Sequence, residues 1–488
     1  MRAQNFHRLG YISEGVYSHG TILIRDVNCD SFPELYYSAV IGNKISLRIR
    51  EYRPYNRYIL ADEIPDHGLY SDDLGDFDND GRGDLFSWSG GNFKVFEVLY
   101  PDPYPTHQVW RSDSSYFAFG NIHVADLDSD GKMDFLFNNA GGEKYIYENI
   151  GDNQYILVWD TVVPPYLGGY NYTSGDFDQD GKIEFITGNL SDYPCCVVFE
   201  CTGDNQYEFV FCDTIYPSTA NSHDVWFGND LDQDGKLEFL IGSSPASGPY
   251  WAYQFRVYEA IGDNKYEVKY TSNIVYRPFT LPATAHSCCG DIDGDGRDEI
   301  IYAVHDNWYI YKCVGNDDFQ MIFTAYPESN GLDYTLVYVY DLNDNGYSEI
   351  IESGEYSWTN ESKTVIWEIE AVRLLYPDGG EVFSPGDTVE VRWRTFDPPG
   401  CDSLTLFFSA DSGYTYDTIT TGIPAQDTTY QWVVPDTLSD ECMLMIWAYG
   451  PGVGWDFTDS TFAIGAVSYT HLRAHETRHD LVCRLLLE

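Results

Sequence analysis

The sequence predicts an all-β chain, a seven-bladed β-propeller followed by a β-sandwich, and three observations carry that expectation. An acidic nonapeptide recurs seven times along the 488 residues. Each copy runs directly into a short β-branched or aromatic segment. With 43 Gly and 22 Pro, the chain shows no long amphipathic stretch of Ala, Leu, Lys and Glu that would read as helix.

The copies read DVNCDSFPE (Asp26 to Glu34), DFDNDGRGD (Asp76 to Asp84), DLDSDGKMD (Asp126 to Asp134), DFDQDGKIE (Asp176 to Glu184), DLDQDGKLE (Asp230 to Glu238), DIDGDGRDE (Asp291 to Glu299) and DLNDNGYSE (Asp341 to Glu349). Their first positions lie 50, 50, 50, 54, 61 and 50 residues apart, so the unit repeats with loop insertions in the fourth and fifth copies. Segments such as Leu35-Tyr36-Tyr37, Phe135-Leu136-Phe137 and Phe239-Leu240-Ile241 follow the loops as strands. Further on, Gly151-Asp152-Asn153, Gly203-Asp204-Asn205, Gly262-Asp263-Asn264 and Gly315-Asn316-Asp317 separate alternating apolar runs, which is a hairpin signal. Each unit therefore reads strand A, acidic loop, strands B and C, turn, strand D, which is one propeller blade. Closing such sheets radially shields edges that an open array would expose. The seventh unit has A (LVYVYD), B (SEIIESGE) and C (KTVIWEIE) but no D. NFHRLGYIS (Asn5 to Ser13) stands where a D strand precedes an A strand elsewhere, so the N-terminal strand is expected to close the last blade.

The propeller is assigned to residues 1–371. From 372 to 466, short alternating segments between Gly, Pro and Asp turns fit a β-sandwich. Residues 467–488, with three His, three Arg and no Gly, Pro or Phe, break with everything before them and read as a non-native or disordered tail. Outside that tail the Cys count is even, which suits an oxidising compartment, with Cys401 and Cys442, and Cys201 and Cys212, as candidate pairs.

Asp and Glu number 77 against 28 Lys and Arg, a formal net charge of -49 that excludes nucleic acid as a partner. A chain that is 43% hydrophobic and 16% aromatic is not an acidic disordered polymer. No window reaches the roughly 18 apolar residues of a membrane span, and Met1 to Tyr11 has no signal-peptide core. Extracellular or cell-surface residence would then imply a start upstream of Met1.

Within D-x-D-x-D-G-x-x-[D/E], side chains at positions 1, 3 and 5 converge, Gly at 6 allows the bend, and position 9 returns a carboxylate. Hard oxygens around a flexible turn select Ca2+ over Mg2+. The ligand candidates are Asp76, Asp78, Asp80 and Asp84; Asp126, Asp128, Asp130 and Asp134; Asp176, Asp178, Asp180 and Glu184; Asp230, Asp232, Asp234 and Glu238; Asp291, Asp293, Asp295 and Glu299. These five copies are full sites. Two weaker ones are Asp26, Asn28, Asp30 and Glu34, where Ser31 replaces Gly, and Asp341, Asn343, Asn345 and Glu349. An EF-hand is excluded, because its position 12 would be Ser87 or Phe137, inside predicted strands. The metal-free alternative is a set of Asx-turns, against which stands the repulsion among four carboxylates in nine residues.

With these loops in register, the array over roughly residues 8–370 resembles the FG-GAP/VCBS family of calcium-binding propeller repeats found in integrin α-subunit heads and bacterial secreted proteins. The C-terminal segment, on PDGGEVFSPGDTVEVRW and SADSGYTY, resembles the Ig/fibronectin-like domains appended to such proteins. The resemblance implies calcium at the positions named above and does not imply one activity.

On the face opposite the calcium loops, Trp88, Tyr166, Tyr170, Tyr172, Tyr193, Tyr250, Trp251, Trp308, Tyr356 and Trp358 are expected to form an aromatic-rich rim for a protein or glycan ligand. The expected role is adhesion or ligand binding by a monomer. The alternatives are a carbohydrate-active enzyme such as a polysaccharide lyase, using His19, His67, His223 and His286 at a channel mouth, and a structural spacer. No G-x-S-x-G, H-E-x-x-H or phosphate loop is present. Arg82-Gly83-Asp84 spells an integrin-recognition tripeptide, but Asp84 is the ninth position of its loop and is expected to be committed there.

Overall fold

The computed structural model describes residues 6–12, 22–41, 44–53, 57–65, 72–89, 91–113, 122–139, 142–162, 172–188, 195–214, 225–243, 250–278, 285–304, 307–325, 334–342, 348–356, 361–369, 371–395, 401–449, 454–458 and 460–465. All described elements are strands or turns. The chain divides into two compact units, one running to Glu368 and the other from Ile369 onward.

In the first unit the alternation of apolar and polar residues builds seven antiparallel sheets of the A-B-C-D kind. Blade 1 orders Ile22–Arg25, Glu34–Ile41, Lys44–Arg53 and Arg57–Pro65. Blades 2 to 4 begin at Asp72–Gly75, His123–Ala125 and Tyr172–Gly175. Blade 5 begins at Val225–Asn229 and blade 6 at Ala285–Gly290. Blade 7 orders Tyr334–Tyr340, Glu349–Tyr356, Glu361–Ile369 and then Phe6–Ile12, so the N-terminal strand closes the last blade as expected. The extra length of the fifth copy differs from expectation. It forms a longer third strand, Tyr250–Gly262, whose first half pairs with an added strand, Val275–Pro278. A backbone extended past its blade must pair its amides, and a further strand does so.

Successive A strands lie side by side around the unit. The ring closes where the Ile22 amide donates to Tyr338 Oη at 3.1 Å and Ile12, Ile22 and Leu35 share a core with Leu342, Ile351 and Ile366. Loop position 2 supplies much of the grip between blades. Phe77 packs on Phe135 of blade 3, Leu127 on the core of Phe185 in blade 4, and Phe177 on Phe239 of blade 5. Leu231, Ile292 and Leu342 enter the cores of blades 6, 7 and 1. The same nonapeptide thus bends around its acids and plants one apolar side chain in the neighbouring sheet.

The second unit has a three-stranded sheet of Val372–Tyr376, Thr388–Thr395 and Thr429–Val433 and a six-stranded one centred on Ser403–Ser409 and Ser439–Tyr449. Strict alternation along Thr388–Thr395 turns Val389, Val391 and Trp393 inward. There they share one core with Leu404, Leu406, Leu444 and Ile446 of the other sheet. Neither expected cysteine pair forms; Cys201, Cys212, Cys401 and Cys442 are all free thiols. Register is the reason: Cys201 faces Tyr207 and Cys212 faces Val197. Cys401 and Cys442 lie at opposite ends of a strand pair that runs from Ser403 opposite Tyr449 to Ser409 opposite Met443.

Candidate metal centres

The acidic loops of blades 1 to 5 share the same internal wiring, whereas in blade 6 the Asp295 amide donates to Asp291 Oδ1 and Asp293 Oδ1 has no hydrogen-bond partner. In blade 2, Asp76 Oδ2 accepts from the Gly81 amide at 3.0 Å, Asp78 Oδ1 from Asp80 at 3.3 Å, and Asp80 Oδ1 from Arg82 at 2.9 Å. Positions 4 and 6 are left-handed, with φ of 60° at Asn79 and 88° at Gly81, which explains the glycine. In blade 1, Ser31 adopts that conformation at φ 71° and its amide still donates to Asp26 Oδ2, at 2.9 Å, so the loop forms without glycine. These are Asx-turn bonds, and they alone do not call for a metal.

Position 9 is different. One oxygen accepts the position 2 amide: Val27 to Glu34 at 2.8 Å, Phe77 to Asp84 at 2.8 Å, Leu127 to Asp134 at 3.0 Å, Phe177 to Glu184 at 2.8 Å and Leu231 to Glu238 at 2.7 Å. The other oxygen of each of these five acids is buried without a hydrogen-bond partner. Burying an unpaired carboxylate oxygen is expensive. Burial, joined by the neighbouring loop carboxylates and opposed by the position 2 amide, pushes each of these acids up to about 8. A cation at the loop centre would satisfy the oxygen and reverse that shift. Ligand oxygens of Asp176, Asp178, Asp180 and Glu184 lie within 4.8 Å of one another, as do those of Asp230, Asp232, Asp234 and Glu238, and of Asp26, Asp30 and Glu34.

Two matches to a known repeat coincide with these loops: residues 76–137 and 126–187 fit the family described as the FG-GAP-like repeat. Residues 76–187 carry two overlapping FG-GAP-like repeats. Over 146 residues it is 23% identical to cartilage acidic protein 1 of Xenopus tropicalis, an alignment covering 30% of this chain and 22% of that protein. The chain therefore spans about a fifth of that relative's length. Among solved structures it is similar to the WD40 domain of Toxoplasma gondii coronin, at 7% identity and a TM-score of 0.46, covering 75% of this chain and 89% of that one. It is also similar to the Nup133 β-propeller domain of Vanderwaltozyma polyspora, at 10% identity and a TM-score of 0.47, covering 75% and 98%.

The acidic loops draw on residues that the motif does not contain. Cross-strand from the ninth position, strand C supplies Glu51, Glu97, Glu148, Glu200 and Glu259 in blades 1 to 5. All five are buried. In blade 6 the same place, opposite Glu299, is taken by Lys312, one residue beyond the Ile300–Tyr311 pair.

The C-to-D turns, read from sequence only as hairpins, clasp the preceding loop. The Asn153 amide donates to Asp78 Oδ2 at 2.7 Å and its Nδ2 to Glu97 Oε1 at 3.1 Å. Asn205 does the same to Asp128 and Glu148, at 2.8 and 2.6 Å. Asn264 repeats it on Asp178 and Glu200, both at 2.6 Å. In blade 6 Asn316 and Asp317 reach Asp232, each at 2.9 Å. Each clasping residue at φ 55° or 56° is Asn or Asp, the types that tolerate the left-handed turn. Tyr207, two residues past Asn205, donates from Oη to Asp134 Oδ2 at 3.4 Å. Asn205→Gly keeps the turn and the amide bond but removes the side-chain bond to Glu148. Because bonds to charged groups contribute about 1.5 to 3 kcal/mol, urea unfolding should show a stability loss of that size.

Other expected site residues fall elsewhere. Asn343 and Asn345 lie outside the described residues, whereas Glu349 is buried and accepts from the Leu342 amide at 2.7 Å. Of the expected aromatic rim, Trp308 is buried against Trp367. Tyr172 is buried with its hydroxyl donating to Asn138 Oδ1 at 2.5 Å, and Trp88 packs on the core between blades 2 and 3. These three pack the sheets instead of presenting a surface, because large rings fill the widening gaps between blades. Tyr166, Tyr170, Tyr193 and Trp358 lie outside the described residues, as do the side chains of Tyr250, Trp251 and Tyr356. His19, His67 and His223 do too. His286 packs on Tyr338, and burial lowers its pKa to about 4. Asp84 is buried with one oxygen on the Phe77 amide, so the Arg-Gly-Asp tripeptide does not display its carboxylate.

Proposed function

We propose that this chain is an extracellular or cell-surface binding module whose propeller is held rigid by Ca2+ in the loops of blades 1 to 5. The observation that supports it is the buried, unpartnered oxygen on Glu34, Asp84, Asp134, Glu184 and Glu238. Asp26, Asn28 and Asp30, with the equivalent positions 1, 3 and 5 of the next four loops, complete the ligand sets. Calcium suits them because it accepts six to eight oxygens in a flexible arrangement. Millimolar calcium outside cells fills even modest sites, and bound cations relieve part of the -49 net charge. Bound calcium would act here on stability, through the position 2 side chains that grip the next blade.

The B-to-C and D-to-A connections of the opposite face are the place for a protein or glycan ligand in an adhesive or recognition role. The 372–466 segment, of the Ig/fibronectin-like type, would extend that module. Equilibrium dialysis with Ca2+ and with Mg2+, followed by glycan and extracellular-protein arrays in calcium or chelator, tests this. Saturable calcium uptake in preference to magnesium, with array binding that chelator abolishes, is the expected result; uptake of neither ion would defeat it.

A further inference from the structure

The residue facing the ninth-position acid is Glu in blades 1 to 5 and lysine in blade 6. Lys312 Nζ lies 2.6 Å from Asp293 Oδ2, 2.8 Å from Asp295 Oδ2 and 2.9 Å from Glu299 Oε1. It therefore touches the third, fifth and ninth positions of its loop together. Basic side chains near the other loops are placed differently. Arg82, Lys132 and Lys182 rise from position 7 and pair with the fifth-position Asp and the strand C Glu. They are 50, 43 and 44% exposed against 19% for Lys312. Among the described residues none of them pairs with a ninth-position acid; Glu299 Oε1, like its counterparts, has no hydrogen-bond partner, but it alone has an ammonium 2.9 Å away as an ion pair.

We propose that the loop 291–299 is closed by the chain's own ammonium: Lys312 holds Asp293, Asp295 and Glu299 where the preceding loops would hold Ca2+, and blade 6 takes no divalent ion. The inference rests on the calcium reading of blades 1 to 5 and departs from the expectation that Asp291, Asp293, Asp295 and Glu299 form a full calcium site. The ammonium donates to Asp293 Oδ2 and sets its charge against the oxygens of Asp295 and Glu299 as ion pairs. A second cation beside it would meet a like charge a few ångströms away in a partly buried site. Because the lysine is tethered to strand C, this closure does not depend on ion concentration. Blade 6 keeps its loop where calcium is scarce.

The test is peptide-resolved hydrogen exchange of the full chain in calcium and in chelator, with bound calcium counted after dialysis, for the wild type and Lys312→Glu. Chelation should speed exchange about tenfold or more over 26–34, 76–84, 126–134, 176–184 and 230–238 and leave 291–299 unchanged. Lys312→Glu should make 291–299 respond as well and add one bound calcium. If that variant does not fold, the wild-type exchange pattern still decides. A wild-type response at 291–299 equal to that of the other loops, or a folded variant with no added calcium, overturns the lysine closure alone. No response at any loop overturns the calcium reading together with it.

Discussion

Removing divalent ions from the protein is expected to lower its melting temperature by on the order of 10 °C or more, measured by calorimetry in calcium and in chelator. The size follows from mass action. A ligand that binds only the native state stabilises it by about 2.7 kcal/mol when its concentration is a hundred times its dissociation constant. Five such loops would together supply as much free energy as the whole stability of an ordinary domain, about 5 to 15 kcal/mol. The loss should concentrate in the first unit, where position 2 of each loop anchors the next sheet. A melting temperature that ignores the chelator would refute calcium as a structural element.

In chelator, the propeller should lose stability steadily as pH rises from about 4 to about 8. The ninth-position acids are pushed up to about 8 by burial and by neighbouring carboxylates, whereas in the unfolded chain they titrate near 4. Between those values the folded state keeps a proton that the unfolded state releases, so the slope of stability against pH is negative. Below that window the contribution is fully present; above it, it is gone. Calcium binding must expel the same protons. Calorimetric titration in buffers of different ionisation enthalpy should therefore detect proton release of about one per filled loop near pH 6.5, vanishing above pH 9. Calcium uptake with no proton release at pH 6.5 would mean that the ninth-position acids are not the ligands.

The blades were legible because a motif with an unchanging interval announces itself without any knowledge of contacts. The same reading found the strand exchange at Asn5 to Ser13, since one unit lacked a strand and the start of the chain had one to spare. What it missed lies where interval gives no guide. The residue facing position 9 falls 13 positions downstream at Glu97 and Lys312 but 14 at Glu148, 16 at Glu200 and 21 at Glu259, because the B-to-C connection varies in length. Only strand register aligns these residues, so neither the Glu series nor its lysine exception could be read from spacing. The Asn clasps were visible as Gly-Asp-Asn, but a turn signal does not say what the turn touches across a blade boundary. The Cys201–Cys212 pairing failed for the related reason that proximity in sequence is not register.

The strand exchange at Phe6–Ile12 also sets an order of events. As the chain leaves the ribosome, those residues have no partner until Glu361–Ile369 has been made, so blades 1 to 6 can form during synthesis while the ring stays open. Until the seam is sewn, blade 7 presents a bare flank to any passing strand. Joining segments so far apart is also the slowest step that topology imposes.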